Sequence, residues 1–393
     1  MWHLLQISGP LDCEFGAALA ERVPLIGWQP ERVHFPHFRT APASAQPSPD
    51  PRLRVNKIPL LRGFARWPLS AFARTGLTVS RHLASLSPDP SEATLLCTSP
   101  FFAPVAERWP GRVVYWLTDL IAHYGYASFR QVARLDERLC RVASLVCPNS
   151  ERIASYLRGE AGCAQEKICI LPNATRAVNL LPQPSRGPAR LPADLADLPR
   201  PVAGVIGNLA SNMDWAYLEQ LCVELPGLHW ALVGPADMDI PDLVQREARR
   251  RVLALPQVRS VGRKPYGDLV HYARSFDVAV LPYRRVEPTF SGSSTRFYEH
   301  LAAGRPILAT RGLEELVHKP PLLKLADTAT EAAAALRALQ ANAFDDGFAT
   351  QRWLASQGGT WEERASTLLG ALERAEAPKR SSMACALRES TAS

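Results

Sequence analysis

The sequence predicts an α/β protein with two doubly wound domains that face each other across a cleft. The chain has 393 residues, which is longer than one compact core usually serves. Short apolar runs alternate with amphipathic stretches, a pattern typical of parallel strands covered by helices. This alternation stops at a proline-rich stretch, residues 181–201, and then starts again. We therefore predict two Rossmann-like domains joined by a semi-rigid linker at 181–201.

The first predicted domain covers residues 1–180. Its predicted strands are short apolar runs at 2–7, 95–98, 113–116, 145–148 and 168–171. A helix is predicted over residues 129–143, where Val132, Leu135 and Leu139 recur at helical spacing. Residues 40–59 are rich in proline, alanine and serine, and we expect an irregular insertion there.

The second predicted domain covers residues 202–360. Strands are predicted in PVAGVIG, HWALVG, VRSVG, DVAVLP and RPILAT, with helices at 215–225, 266–274 and STRFYEHLAAG. A C-terminal helix over residues 361–377 is expected to pack back toward the first domain. Residues 378–393 are small and polar, and we expect them to be a disordered tail.

Composition and termini indicate an ordinary globular protein. The first residues have neither a basic n-region nor a long apolar region, and no apolar run approaches the roughly 20 residues of a membrane-spanning helix. The eight cysteines form no C-x-x-C pair, which favours reduced, buried thiols. We therefore expect a cytoplasmic protein that is soluble or peripheral at the inner face of the membrane.

One segment is strongly basic. From Pro51 to Pro88 there is no acidic residue, although seven basic residues and several apolar ones alternate there. The basic residues are Arg52, Arg54, Lys57, Arg62, Arg66, Arg74 and Arg81, and the apolar ones include Leu60, Leu61, Phe64, Trp67, Leu69 and Phe72. Such a surface would attract an anionic bilayer or a nucleic acid, or it could be a solvated arginine-rich face. We expect membrane contact through residues 52–81 and no nucleic acid partner.

A candidate phosphate site follows the predicted strand DVAVLP. In open parallel sheets, ligands bind beyond the carboxyl ends of the strands, where helix amides can receive phosphate. Small residues there permit close backbone approach and can cap the next helix, and Arg296 adds a fork of donors. The candidate donor-binding residues of this loop are Ser291, Gly292, Ser293, Ser294, Thr295 and Arg296.

Glu299 lies one helical turn after this loop. Its carboxylate could accept hydrogen bonds from the two vicinal hydroxyls of a ribose. The alternative is structural: a capped helix with an ion pair between Arg296 and Glu299 at i, i+3.

Several segments resemble one known family. The run STRFYEHLAAGRPILAT resembles the donor-binding motif of retaining GT-B glycosyltransferases, with Arg296 at the usual lysine position and Glu299 at the usual glutamate. PVAGVIGNLASNMDW resembles the start of the second domain in teichuronic-acid-type transferases. In the first domain, VVYWLTDL, ASLVCPNSERIASYL and KICILPNATR resemble further signatures of this family. The resemblance covers about residues 113–313.

The resemblance implies a fold, a reaction and a set of roles. It implies a GT-B glycosyltransferase of polysaccharide or cell-envelope biosynthesis that uses a nucleotide-diphosphate sugar. The acceptor, a glycan or lipid-linked molecule, would bind the first domain, and the reaction would proceed with retention and without a metal or other cofactor. By the same resemblance Arg296 contacts the diphosphate, and Gly207 and Asn208 line the phosphate loop. Arg263 and Lys264 are adjacent cations that are either donor contacts or exposed charges.

One position departs from the family pattern. Many members have a further glutamate eight positions before Glu299, where it contacts the transferred sugar, and this chain has Ser291 there. Glu287, four residues upstream, could substitute.

Two residues of the first domain are catalytic candidates. Asp119 follows the predicted strand VVYWL and would face the cleft, as the corresponding segment of the family does, and it could orient the acceptor hydroxyl. His123 could assist, or it could be an ordinary surface histidine.

Two other functions keep the predicted fold. A UDP-sugar 2-epimerase of GT-B architecture would need no acceptor. A non-catalytic sugar-nucleotide-binding subunit would fit the serine at position 291.

Overall fold

The computed structural model describes residues 1–5, 9–33, 45–46, 50–61 and 70–390. Within these ranges it describes the side chains of all but residues 10, 32–33, 45–46, 61, 70–75 and 376–390. The chain forms two compact units. Unit 1 comprises Met1–Pro172 and Trp361–Ser393, and unit 2 comprises Asn173–Thr360.

Unit 1 contains a seven-stranded sheet with helices packed around it. Its strands are β1 (Trp2–Leu5), β2 (Leu25–Val33), β3 (Ala45–Gln46), β4 (Arg54–Leu61), β5 (Thr94–Cys97), β6 (Arg112–Leu117) and β7 (Leu145–Pro148). The strand order is β3-β4-β2-β1-β5-β6-β7, and every pair is parallel except β3 with β4. Its helices include α1 (Pro10–Ala20), α2 (Ser70–Ser85), α3 (Ala103–Ala106), α4 (Phe129–Val142) and α5 (Glu151–Gly159).

Unit 2 contains a six-stranded parallel sheet. Its strands are β8 (Val202–Ile206), β9 (His229–Val233), β10 (Val258–Gly262), β11 (Val278–Leu281), β12 (Ile307–Ala309) and β13 (Lys324–Leu325), in the order β10-β9-β8-β11-β12-β13. Its helices are α6 (Trp215–Glu224), α7 (Leu243–Leu253), α8 (Leu269–Ser275), α9 (Thr295–Ala303), α10 (Glu314–Val317), α11 (Ala329–Ala341) and α12 (Ala349–Gln357). The strand order reverses between β8 and β11, and such a switch point is where doubly wound sheets bind ligands.

A last helix, α13 (Trp361–Ser390), returns the chain to unit 1. The Trp361 side chain is almost fully buried, and its ring lies 6.1 Å from the ring of Phe15 on α1. Phe15 in turn contacts Trp116 of β6, with ring centroids 4.4 Å apart. The core of unit 1 is thus closed by a helix from the far end of the chain.

The predicted linker at 181–201 belongs to unit 2 instead. Leu195 and Leu198 are buried in the core of that unit. Arg200 forms an ion pair of 2.9 Å with Asp277, and Trp353 donates to the carbonyl of Leu181 at 2.8 Å. These contacts fix the path of the segment along unit 2, and the boundary between the units falls at Pro172, before the predicted position near 180.

Three other sequence predictions differ from the structure. The segment predicted as a strand at 168–171 is not one of the described strands, and Ile168 forms only an isolated bridge with Val146. Residues 54–59 were predicted as part of an irregular insertion, but they lie in β4, since Val55 and Ile58 are buried beside β2. Residues 378–390 were predicted as a disordered tail, but they continue α13, because 379–390 contain no glycine or proline and many good helix formers.

The basic segment is partly neutralised by acids from elsewhere in unit 1. Arg52 forms ion pairs with Asp50 at 2.6 Å and with Glu21 at 2.9 Å, and Lys57 lies 3.6 Å from Glu31. Leu60 is buried in the core. Arg62, Phe64, Arg66, Trp67 and Leu69 lie outside the described residues. None of the described helices is both long and apolar enough to cross a bilayer.

Candidate functional site

The loop before α9 presents a capped helix start beyond the carboxyl end of β11. The Ser294 hydroxyl accepts a hydrogen bond from the Phe297 amide at 3.1 Å, which caps the helix. It also lies 2.8 Å from the Tyr283 hydroxyl. A helix start of this kind offers backbone amides and a positive dipole end to an anion.

Arg296 is positioned by the glycine loop after β8. Its Nη2 donates to the carbonyl oxygen of Asn208, and its guanidinium lies 5.3 Å from the centre of the Tyr283 ring. A Cβ atom at Gly207 would lie 2.0 Å from Arg296 Nε, and Gly207 has a φ of +116°. The positive φ favours glycine there, and any side chain at this position would also have to displace the Arg296 guanidinium. The structure thus brings together Gly207, Asn208 and Arg296.

Gly234, after β9, was not singled out from the sequence. A Cβ atom there would lie 1.9 Å from the carbonyl oxygen of Gly207. Gly234 therefore allows the Gly207 loop to approach the neighbouring strand closely, and the strand-then-glycine pattern HWALVG was the signal for it.

Glu299 is buried and held by two residues that the sequence pattern does not predict. Its Oε1 accepts from the Tyr266 hydroxyl at 2.7 Å, and its Oε2 accepts from Asn179 Nδ2 at 3.1 Å. Each carboxylate oxygen can accept more than one hydrogen bond, so a ribose hydroxyl could still bind. Asn179 lies 120 residues away in sequence, where no local pattern could reveal it.

A second carboxylate, Glu315 on α10, fixes the middle of the loop. Its Oε2 accepts from the Ser293 hydroxyl at 2.8 Å and from the Ser294 amide at 2.9 Å. Asn173 adds a backbone amide that donates to Ser293 Oγ at 2.9 Å. Thr295 starts the helix directly after these residues. The loop is therefore held by hydrogen bonds on two sides.

Ser291 and Gly292 are buried at the base of the same loop. The Ser291 hydroxyl donates to Glu287 Oε1 at 2.7 Å. A carboxylate thus lies beside the position where the family has its first glutamate, although it comes from four residues upstream.

The two adjacent cations have different surroundings. Lys264 forms an ion pair of 2.6 Å with Asp194, and Arg263 is exposed. The contacts of Lys264 give it a structural partner, whereas its predicted role toward a donor stays a prediction.

In unit 1, Asp119 lies two residues beyond β6 and is half-buried. Its Oδ2 accepts from the Tyr124 hydroxyl at 3.2 Å. Burial raises the pKa of Asp119 to about 6, and the Tyr124 hydrogen bond opposes that rise. His123 is exposed, and its ring meets the Phe129 ring edge-on at 6.0 Å. Asp119 is thus a carboxylate suited to proton transfer near neutral pH.

Sequence comparisons identify relatives of part of the chain. Residues 200–342 match the family described as "Glycosyl transferases group 1". TuaH of Bacillus subtilis (strain 168), whose description names a teichuronic acid biosynthesis glycosyltransferase, is 27% identical over 109 residues. That match covers 28% of this chain and 26% of TuaH, so it spans about a quarter of the relative.

Structural comparisons cover nearly the whole chain. HepE from Anabaena, solved with UDP and glucose, superimposes with a TM-score of 0.67 at 16% identity, covering 95% of this chain and 99% of HepE. Sucrose-phosphate synthase from Thermosynechococcus elongatus has a TM-score of 0.68 at 16% identity, covering 95% and 98%. A trehalose 6-phosphate synthase from Burkholderia multivorans has a TM-score of 0.68 at 14% identity, covering 96% and 99%.

These structural likenesses show the fold: the chain has the two-domain α/β fold known as GT-B, as the sequence predicted. Within that fold, residues 200–342 of the second domain match the model of the family Glycosyl transferases group 1. This domain contains the Gly207 loop, Arg296 and Glu299.

Proposed function

We propose that the protein is a glycosyltransferase that moves a sugar from a nucleotide-diphosphate sugar to a glycan or lipid-linked acceptor. The observation that carries this proposal is the placement of Arg296 at the start of α9, held by the Asn208 carbonyl and packed on Gly207. A diphosphate placed there would meet a guanidinium fork and helix amides together. The group 1 family match and the described function of TuaH support it.

The reaction transfers the sugar anomeric carbon between two oxygen atoms. The bond from that carbon to the diphosphate oxygen breaks and its electrons stay on the diphosphate. The acceptor hydroxyl oxygen forms the new bond and gives up its proton to the leaving diphosphate. Arg296 and the first amides of α9 would neutralise the growing negative charge. This arrangement needs no metal or other cofactor, and we propose that none takes part.

Two carboxylates would recognise the rest of the donor. Glu299, fixed by Tyr266 and Asn179, would accept from the ribose hydroxyls. Glu287, beside Ser291, would accept from a hydroxyl of the transferred sugar. The serine at position 291, where the family has a glutamate, would by itself fit a non-catalytic binding subunit. Because Glu287 supplies a carboxylate at the same loop, we favour a catalytic protein.

Asp119 would act on the acceptor. Its pKa of about 6 leaves it ionised at neutral pH and able to accept a hydrogen bond from the acceptor hydroxyl. We propose retention of anomeric configuration, which rests on the family resemblance. The anomeric coupling constant in the proton NMR spectrum of the product tests this, and an inverted product would instead make Asp119 the base that takes the acceptor proton.

We further propose that the protein works in the cytoplasm on polysaccharide or cell-envelope synthesis, in contact with the inner face of the membrane. The basic residues between 62 and 81 would supply that contact. Flotation with phosphatidylglycerol and phosphatidylcholine vesicles at low and high salt tests it. Equal recovery with both lipids, or no recovery, would remove the membrane from the proposal.

The decisive experiment is a titration with UDP and GDP, followed by product analysis. UDP is tried first because HepE was solved with it. The expected result is nucleotide binding that weakens about 10- to 100-fold in Arg296→Ala, together with release of nucleoside diphosphate only when acceptor is present. Free epimerised sugar without acceptor would identify an epimerase, and binding without turnover on any donor would identify a binding subunit.

A further inference from the structure

Exposed aromatic rings are concentrated on one short segment of unit 1. Among the large hydrophobic side chains that the structure describes, the exposed aromatic ones are Tyr124, Tyr126 and Phe129, with 43%, 57% and 40% exposure. They lie within six residues of one another, directly after β6 and Asp119. Such a local concentration of exposed apolar rings is typical of a binding surface.

The rings are held in fixed relative positions. The planes of Tyr124 and Tyr126 differ by only 14°, with centroids 5.9 Å apart. Phe101, which is buried, meets Tyr126 edge-on at 6.4 Å, and Phe129 meets the Tyr156 ring edge-on at 5.8 Å. Edge-on and offset contacts of this kind are the favourable geometries of aromatic pairs. The exposed rings are therefore anchored to the core of unit 1.

A carboxylate lies at the edge of this surface. The Tyr124 hydroxyl donates to Asp119 Oδ2, so the same side chain supplies an apolar ring and the hydrogen-bond partner of the candidate catalytic residue. A ligand lying on Tyr124 and Tyr126 would thus present its rim to Asp119.

A pyranose ring matches these two features together. It has an apolar face of C–H groups, which carry partial positive charge and are attracted by the negative face of an aromatic ring. It also has a rim of hydroxyl groups that can donate to a carboxylate. An anionic bilayer fits less well, because Asp119 would repel its headgroups.

We propose that Tyr124 and Tyr126 form the subsite that binds a pyranose ring of a glycan acceptor, with one of its hydroxyls directed at Asp119. Phe101, which is buried, supports the Tyr126 ring from the core. The role of the bound sugar as an acceptor rests on the proposed transferase function. The sugar-binding surface itself does not depend on donor chemistry.

The test measures sugar binding directly, without turnover. Saturation-transfer NMR is recorded with cellobiose, maltose and N,N′-diacetylchitobiose on the full chain, on Tyr126→Leu, which keeps apolar area but loses the ring, and on Tyr126→Trp, which keeps a ring. Leu354→Ala, at an exposed leucine of unit 2, is the matched surface control. Circular dichroism of each variant verifies folding.

We expect at least one disaccharide to bind the parent, Tyr126→Trp and Leu354→Ala alike, and to bind Tyr126→Leu about two- to tenfold more weakly. Equal binding by Tyr126→Leu, or no signal from any of the three sugars with the parent, would overturn the proposal. Loss of binding to phosphatidylcholine vesicles in Tyr126→Leu, with sugar binding unchanged, would assign the surface to lipid instead.

Failure of this inference can be told apart from failure of the proposed function. UDP titration of the same variants reports on unit 2. Ring-dependent sugar binding without nucleotide binding would leave a glycan-binding surface and remove the transferase. Nucleotide binding without ring-dependent sugar binding would leave the transferase and remove this subsite.

Discussion

The backbone of Gly207 packs directly against the guanidinium of Arg296, so closely that a Cβ atom at 207 would lie 2.0 Å from Arg296 Nε. The two residues follow different strands of the unit 2 sheet. Gly207 comes directly after β8, and Arg296 comes after β11. Because of this contact, a substitution at position 207 can displace the Arg296 guanidinium, which we propose to bind the diphosphate, without a change to Arg296 itself.

Gly207→Ala should therefore mimic the loss of Arg296. The added methyl must push the guanidinium away from Asn208, and the φ of +116° adds backbone strain. We expect UDP affinity to fall about 10- to 100-fold, the worth of a charged hydrogen bond. Calorimetric titration measures it. Gly227→Ala is the control, since nothing lies within 4 Å of a Cβ there, and equal losses in both variants would contradict the prediction.

Charge and shape at position 296 can be separated. Arg296→Lys should lower turnover less than Arg296→Ala, because a lysine keeps the positive charge but loses the planar fork that reaches the Asn208 carbonyl. Initial rates with the donor identified by titration provide the comparison. Turnover equal to the parent in both variants would make Arg296 a structural residue of the Gly207 loop.

The third prediction concerns Glu299, whose carboxylate is buried against Tyr266 and Asn179. Glu299→Ala should weaken UDP binding, and it should also lower the free energy of unfolding by about 1–3 kcal/mol, because the buried Asn179 amide and the half-buried Tyr266 hydroxyl lose their acceptor. Glu299→Gln keeps the shape and should lose affinity with less cost in stability. Denaturant unfolding and UDP titration are measured together.

Glu247, a surface carboxylate, provides the control for the two Glu299 variants. Glu247 forms an exposed i, i+3 ion pair with Arg250, so Glu247→Gln should change neither quantity appreciably. If Glu299→Gln binds UDP as tightly as the parent does, Glu299 only supports the fold.

The raised pKa of Asp119 predicts that both turnover and stability depend on pH. Its pKa of about 6 means that turnover should fall as the pH drops through 6, because the protonated carboxyl cannot accept from the acceptor hydroxyl. For stability the sign is opposite. A folded-state pKa above the unfolded value means that the folded protein favours the protonated form, so the contribution of Asp119 to stability diminishes as the pH rises from about 4 to 6.

Burial also raises the pKa of Asp136 to about 6. The variant Asp119→Asn therefore separates the pH effect of Asp119 from that of Asp136. The variant should gain in Tm relative to the parent at pH 8 and gain less at pH 4, while its turnover at neutral pH is strongly reduced. A Tm difference that is the same at both pH values would mean that Asp119 titrates normally.

Local signals predicted the parts of the site that lie close together in sequence. The serine and glycine loop followed by Thr295 and Arg296 was recognisable as a capped helix start, because capping depends on residues three positions apart. The contacts of Glu299 with Asn179 and of Ser293 with Asn173 each join residues 120 positions apart, and no periodicity in the sequence encodes them.

The wrong predictions for β4 and for the segment 181–201 have similar physical origins. β4 was missed because Lys57 and Pro59 interrupt its apolar pattern, although Val55 and Ile58 are buried by neighbouring strands. The segment 181–201 was assigned to a linker from its prolines, whereas the buried leucines at 195 and 198 decided its place. In both cases tertiary burial overrode a local propensity.

The return of α13 to unit 1 has a consequence for how the chain is made. During synthesis from the N-terminus, all residues of unit 2 emerge before Trp361, so the unit that comes second in sequence is the first to be complete. Until then Phe15 and Trp116 lack the ring that covers them. A circular permutant that begins at Asn173 and joins Ser393 to Met1 would turn each unit into one continuous stretch of polypeptide.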